Sequence, residues 1–135
     1  MHRITTVSAV FAFALAAAPA QASGPAYSAA FGTCMDASGG VTSAMIECIG
    51  NEFEAQDRRL NAVYRQALAA LPAARRAALT RAQRAWVAFK EAECGFVLDP
   101  DGGSAARVAA NDCVLRMTAV RADELQAIVD DAGMR

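Results

Sequence analysis

Residues 45–68 read MIECIGNEFEAQDRRLNAVYRQAL, and this stretch decides the fold. Apolar side chains recur in it at steps of three and four residues, the repeat that places them along one face of an α-helix. The repeating residues are Met45, Cys48, Ile49, Phe53, Leu60, Val63, Tyr64 and Leu68. We predict a first long helix that begins near Thr42, with Thr42 or Ser43 as its cap. It ends near Leu71, because Pro72 cannot continue a helix.

Two further helices are predicted downstream of this stretch. The second runs from Pro72 or Ala73 to about Leu98, with an apolar face that we expect to lie in the core. That face comprises Leu79, Ala82, Trp86, Phe89 and Phe96. Residues 99–103 read DPDGG, a strong turn signal, and Ser104 is positioned to cap a third helix. The third helix carries Val108, Cys113, Leu115, Val120, Leu125 and Ile128 and ends at Gly133.

Three helices with short connections predict a small all-α fold, an up-down-up three-helix bundle over residues 42–132. No segment shows the two-residue alternation of a β-strand. Residues 23–41 are rich in glycine and contain Pro25. We therefore expect this segment to be an irregular N-terminal arm that Cys34 ties to the bundle.

Residues 1–22 have the features of a cleaved secretory signal peptide. Arg3 is followed by an almost continuous apolar run over residues 7–18, which is too short to span a bilayer. Residues 20–22 read AQA, a small-x-small cleavage site, so we predict cleavage after Ala22. This predicts a periplasmic or secreted protein with no transmembrane segment in the mature chain.

Composition excludes several classes of function for the mature chain. Removal of residues 1–22 leaves 113 residues with 12 Lys and Arg against 14 Asp and Glu, a net charge of −2 that does not favour nucleic-acid binding. The only histidine is His2, within the predicted signal. Catalysis by Ser-His or Cys-His pairs and metal sites with histidine ligands are therefore excluded. An enzyme would have to use carboxylates, Lys90, tyrosine or thiols alone; no pair of carboxylates stands apart from the solvated faces, and we predict no metal, no cofactor and no enzymatic activity.

The four cysteines, Cys34, Cys48, Cys94 and Cys113, all follow the predicted signal. An even number in a small exported chain indicates structural disulfides, here two of them. Three pairings are possible. The helical register places all four at one end of the bundle, and we favour Cys48–Cys113 joining the first and third predicted helices. Cys34–Cys94 would then tie the arm to the second.

Polar residues on the three helices form a candidate layer across the bundle. Its members are Asp57, Asn61, Tyr64, Gln83, Trp86, Thr118 and Arg121. We interpret the layer as a structural network in which Asp57 pairs with Arg121 and Asn61 bonds Gln83. A small-molecule or catalytic site and a partner-binding surface are the two alternatives for these residues. Trp86 is predicted to be the central core residue, or a binding anchor if it is exposed.

Charge is distributed unevenly along the predicted bundle. Nine acidic residues map to the disulfide end, namely Asp36, Glu47, Glu52, Glu54, Glu91, Glu93, Asp99, Asp101 and Asp112. Three cations, Lys90, Arg107 and Arg116, oppose them there. The simplest interpretation is a solvated face, and the functional interpretation is an acidic end that attracts a cationic partner.

The spacing of these motifs resembles the lysozyme inhibitor LprI family. The resemblance covers about residues 34–127. It is carried by Met45-x-x-Cys48, by Asp57-x-x-Leu60-Asn61-x-x-Tyr64, by Leu79-x-x-x-Gln83-x-x-Trp86 with Lys90 and Cys94, by the Gly102-Gly103 turn, and by Cys113-x-x-x-x-Thr118-x-x-Arg121-x-x-x-Leu125.

The resemblance implies an exported helical domain of the bacterial envelope that blocks lysozyme. A C-type lysozyme or another muramidase is the implied partner, since these enzymes are cationic and carry carboxylates in their groove. The expected contact surface is the acidic disulfide-bonded end, with Asp99, Asp101, Glu91 and Glu93 as partner-binding residues and the turn at 99–104 protruding. The alternative is a structural or stress-related periplasmic binding domain that does not inhibit lysozyme.

Overall fold

The computed structural model describes residues 24–134, which form four α-helices and no strand. They are α1 (Ala29–Ala37), α2 (Thr42–Ala70), α3 (Ala73–Val97) and α4 (Gly103–Gly133). The all-α fold with two disulfides is confirmed. None of the helices in this part of the chain is long and apolar enough to cross a membrane. The predicted signal peptide lies outside the described residues.

The N-terminal arm is not irregular, because it contains α1. The Ser28 hydroxyl caps this helix by accepting a hydrogen bond from the Phe31 N–H at 3.1 Å. A turn at Gly39 and Gly40, with φ of +56° and +80°, then reverses the chain into α2. Glycine is the residue that adopts this left-handed backbone freely, so the glycines that suggested an irregular arm instead make a helical hairpin.

The predicted caps of the long helices are wrong by one or two residues. Val41 rather than Thr42 or Ser43 occupies the N-cap of α2, and Gly102 rather than Ser104 occupies that of α4. A Cβ atom on Gly102 would lie 2.6 Å from the Cβ atom of Ala106. Only glycine therefore fits where the turn enters α4.

The core lies mainly between α2 and α4, which run parallel. Leu60, Val63 and Ala67 of α2 pack with Ala122 and Leu125 of α4. Ala67, Ala122 and Leu125 have no exposed surface. These small and branched side chains let the two helices approach closely, and their seam supplies most of the buried apolar surface of the described chain.

Helix α3 packs at the edge of this pair and buries little. Leu79 and Cys94 are the buried residues among its 25. The prediction that Ala82, Phe89 and Phe96 belong to the core is wrong, because all three are exposed, Phe89 by 58% and Phe96 by 83%. The apolar residues of α3 lie on two faces, and a helix at the edge of a pair buries one of them.

Each disulfide joins consecutive helices, so the predicted pairing is wrong. Cys34 of α1 bonds Cys48 of α2 with a Cα–Cα distance of 5.7 Å, and Cys94 of α3 bonds Cys113 of α4 at 5.6 Å. The predicted pairing assumed an irregular arm over residues 23–41. Once α1 folds back along α2, Cys34 lies beside Cys48 and cannot reach α3.

Hydrogen bonds to the buried Glu52 carboxylate hold the segment before α1 against α2. The carboxylate accepts from the Ser28 N–H at 3.0 Å, the Ser28 hydroxyl at 2.6 Å and the Gln56 amide at 2.8 Å. Burial raises the pKa of Glu52, but these hydrogen bonds and nearby Arg59 outweigh it, so the pKa lies below its usual value. The ionised form of Glu52 is therefore the one that holds the segment.

Candidate partner-binding end

The turn between α3 and α4 is ordered by its own hydrogen bonds and by a disulfide. The Asp99 side chain accepts from the Asp101 N–H at 2.9 Å, and the Asp99 carbonyl accepts from the Gly102 N–H at 3.1 Å. The Cys94–Cys113 bond joins the helices on either side of the turn. Asp99 and Asp101 thus stand on a short, braced turn.

The four carboxylates predicted to bind a partner are all exposed, and none of them forms an ion pair among residues 24–134. The turn brings Asp99 and Asp101 together. Glu91 and Glu93 differ by two positions on a helix and so point in directions about 200° apart. The structure therefore contains one acidic turn flanked by two separate glutamates, rather than a single patch of four.

Glu91 lines an open groove beside the turn. The groove has a volume of about 540 Å³, and its lining includes Ile46, Lys90, Glu91, Leu98, Arg107 and Asn111. Two cations share the groove with Glu91, which reduces the negative potential on that side. Glu93 lies outside the groove, on the other side of α3.

The predicted polar network forms with different partners. Arg121 donates from Nε to Gln83 Oε1 at 3.0 Å and pairs with Glu124 at 2.7 Å, rather than with Asp57. Asn61 donates to the Asp57 carboxylate at 3.0 Å, rather than bonding Gln83. In both cases a residue one helical turn away satisfies the polar group. The two predicted pairings across helices are thus replaced by pairings within one helix, while Arg121 also reaches α3 through Gln83.

Trp86 lies at the edge of the core instead of at its centre. It is half-buried, packs against the core cluster, and stands between two cations. Lys90 Nζ is 5.1 Å from a Trp86 ring centroid and Arg121 Cζ is 5.9 Å from it. These distances are typical of cation–π contacts, so the tryptophan joins α3 to α4.

The remaining members of the predicted network are Tyr64 and Thr118. Tyr64 forms a long hydrogen bond of 3.4 Å with the Thr80 hydroxyl of α3. Thr118 is fully buried, and its hydroxyl has no hydrogen-bond partner among the described residues. A buried hydroxyl without a partner lowers stability. Thr118 therefore takes no part in a hydrogen-bond network among the described residues.

Sequence reasoning missed Arg59, which joins α2 to α4. Its guanidinium donates to the Ala119 carbonyl at 3.0 Å and pairs with Asp123 at 2.7 Å, while Nε donates to Gln56 Oε1 at 2.9 Å. The sequence does give one indication of this role, because Arg59 directly precedes the predicted core residue Leu60. An arginine beside a core position can lay its stem on apolar surface and extend its charged group to a neighbouring helix.

The exposed side chains at this end of the molecule form an acidic surface around the turn. Within residues 24–134, no group of three His, Cys, Asp or Glu side chains is placed to hold a metal ion. The exposed carboxylates stand on a braced turn that can meet a positively charged surface with little loss of conformational entropy.

Comparison with known proteins gives a family match. The family model described as Lysozyme inhibitor LprI matches residues 34–125. A protein of Rhizobium meliloti (strain 1021), itself described as uncharacterized, is 27% identical over an alignment of 99 residues. The match covers 63% of this chain and 71% of that protein. No solved structure matches the chain.

Proposed function

The chain belongs to the lysozyme inhibitor LprI family, and from this premise we propose that it is an exported, non-enzymatic protein that inhibits a cationic muramidase. The two disulfides are consistent with a location outside the cytoplasm, where thiols are oxidised. C-type lysozymes are the first partners to test.

The observation that carries the contact surface is the braced acidic turn. Asp99 and Asp101 are exposed, unpaired with any cation of the described chain, and fixed by hydrogen bonds within the turn. A turn that is already ordered loses little conformational freedom when it binds. Unpaired carboxylates also accelerate the approach of a cationic enzyme.

The flanking residues have different roles in this proposal. Leu98, which is 47% exposed, offers apolar surface directly before the turn. Apolar surface next to the charges is typical of an interface, where a few large side chains supply affinity and the charges supply orientation. Glu91 and Glu93 act at longer range, because neither stands on the turn.

The test is calorimetry of the oxidised mature domain with a C-type lysozyme at low and at physiological salt, alongside an activity assay. We expect saturable binding that weakens as salt rises, with stoichiometric loss of lysozyme activity. The double variant Asp99→Asn/Asp101→Asn should weaken binding about tenfold or more and reduce its salt dependence.

The matched control is Asp130→Asn/Asp131→Asn, which removes the same charge near the other end of α4 and should bind like the wild type. If the turn variant binds as tightly as the wild type, the turn is not the contact surface. If the wild type does not bind lysozyme at either salt, the inhibitor function is wrong and the structural or stress-related alternative takes its place.

A further inference from the structure

The exposed face of α3 carries an apolar stripe with the repeat of a coiled coil. Its six residues follow one another at steps of 4, 3, 4, 3 and 4, and all six are exposed. They are Ala78, Ala82, Ala85, Phe89, Ala92 and Phe96. We call them the outer stripe. The alternation of three- and four-residue steps places side chains at the a and d positions along one seam between two helices.

The outer stripe is distinct from the face by which α3 joins the rest of the molecule. That inner face consists of Leu79, Gln83, Trp86, Lys90 and Cys94, which contact α2 and α4. Phe89 and Phe96 belong to the outer stripe and have no place in the core. Two large aromatic side chains with 58% and 83% exposure on one stripe are typical of a surface that binds another molecule.

We propose that the outer stripe pairs with the outer stripe of a second copy of this chain, with the two α3 helices antiparallel. The sizes of the side chains are the first reason to expect a second copy on the outer stripe. In an antiparallel pair centred on the stripe, Phe96 meets Ala78 of the second copy and Phe89 meets Ala85. Ala82 and Ala92, in the next layer on either side of the centre, meet each other.

Every aromatic ring in this arrangement therefore lies over an alanine, and the layers interdigitate large on small. A parallel pair would instead place Phe89 on Phe89 and Phe96 on Phe96 and leave four layers of alanine on alanine. Layers of such unequal size pack poorly, because close packing requires facing residues of complementary volume.

Charge favours the same orientation. The first half of α3 carries Arg75, Arg76, Arg81 and Arg84 and no acidic residue. The second half carries Glu91 and Glu93 against Lys90. Of these charged residues, Arg75, Arg81 and Glu93 lie nearest the outer stripe. An antiparallel pair sets Arg81 level with Glu93 of the second copy, whereas a parallel pair sets Arg81 level with Arg81. Both size and charge therefore identify an antiparallel copy as the complementary surface.

The stripe spans 18 residues of rise, about 27 Å, so the contact is at the small end of specific interfaces. We expect a reversible dimer with micromolar dissociation rather than an obligate one. The proposal does not depend on lysozyme inhibition, since it concerns the surface of α3 and not the turn at 99–104.

The first experiment is sedimentation equilibrium of the oxidised mature chain from about 1 to about 300 μM, a range suited to a small interface. The weight-average mass should rise from monomer to dimer across this range. Phe89→Glu should raise the dissociation constant at least about tenfold, because it places a charge in the centre of the seam. Phe96→Glu, at a more exposed position, should do the same without disturbing the fold.

The matched control is Val87→Glu, which places the same charge on α3 at a residue that is 37% exposed and lies away from the stripe. It should dimerise like the wild type. Circular dichroism and thermal melting show that each variant is folded. A wild type that stays monomeric throughout, or a Phe96→Glu variant that dimerises normally, would overturn the proposal.

Orientation is tested by cysteine cross-linking. Ala82→Cys and Ala92→Cys variants, mixed and oxidised after folding, should form a disulfide between the two different variants, because these positions face each other only in the antiparallel pair. Peptide mapping verifies that the native disulfides are intact. Cross-linking of Ala82→Cys mainly to itself would show a parallel pair and contradict the antiparallel arrangement.

Discussion

The α2–α4 pair and helix α3 are built from similar residues but are held in place in different ways. The seam between α2 and α4 contains Leu115, Ala119 and Leu125 with no exposed surface, whereas α3 has two buried residues in its 25. Helix α3 is held instead by the Cys94–Cys113 bond, by Trp86 at the edge of the core, and by the Arg121–Gln83 hydrogen bond. Packing stabilises the first region, and a few specific links stabilise the second.

The largest expected effect tests this contrast directly. Leu125→Ala removes a fully buried side chain from the α2–α4 seam and should lower the free energy of unfolding by about 3 kcal/mol. Phe89→Ala on the outer stripe should change it by less than about 0.5 kcal/mol. Urea denaturation at concentrations where the protein is monomeric measures both. Equal losses in the two variants would show that α3 is packed as tightly as the seam.

Removal of the two disulfides, one at a time, tests whether α3 depends on a specific link. Each closes a loop with a sequence separation of 14 or 19 residues, and removal of either should cost about 3 kcal/mol in the chain-entropy model. Cys94→Ala/Cys113→Ala should also release α3, so that trypsin cleaves at the arginines of that helix. In Cys34→Ala/Cys48→Ala those sites should stay protected. Equal protection of α3 in both variants would contradict its dependence on the disulfide.

A smaller effect, in this case a gain in stability, is expected when Thr118 inside the seam is replaced. Its buried hydroxyl has no hydrogen-bond partner in the described chain, so Thr118→Val, which keeps the shape, should raise the free energy of unfolding by about 1 kcal/mol. Thr118→Ser keeps the hydroxyl and loses the methyl group, and should lower it by about 1 kcal/mol. Thermal melts of the two variants should move in opposite directions, and a destabilised valine variant would show that the hydroxyl is needed.

The smallest effect concerns the segment before α1. Because the pKa of Glu52 lies below its usual value of 4.5, its contribution to stability is complete above that pH and is lost as pH falls through the lowered pKa. The NMR resonances of the Ser28 amide and the Tyr27 ring should therefore shift as acid is added below pH 4.5, while those of the buried Leu115 and Leu125 in the α2–α4 seam stay unchanged.

The control for this acid effect is Glu52→Gln, which cannot ionise and should make the Ser28 resonance independent of pH in that range. A wild-type segment that keeps its resonances well below the usual glutamate pKa would show that ionised Glu52 does not hold it. Tyr27, whose pKa is raised first by burial and then by Asp112, does not titrate in this acid range, so its resonances report on its surroundings.

The family assignment from motif spacing is confirmed by the family model. The acidic turn at Asp99 and Asp101 was also evident from the sequence, because DPDGG is both a turn signal and a charge cluster. The spacing of Glu91 and Glu93 on a helix is enough to predict that their side chains point apart. It does not predict which residues surround each of them. Arg107 shares the groove with Glu91 only because α3 and α4 line it together.

The sequence by itself determined the three long helices, the turn and the full use of the four cysteines in disulfides. These features depend on local periodicity, on Pro72 and the glycines, and on the number of thiols, all of which act within a few residues. The tertiary structure decided how the cysteines pair, which of the two apolar faces of α3 is buried, and which groups Arg121 and Asn61 bond. Those outcomes depend on which helices become neighbours, and α1 altered the neighbours of Cys34 by folding back along α2.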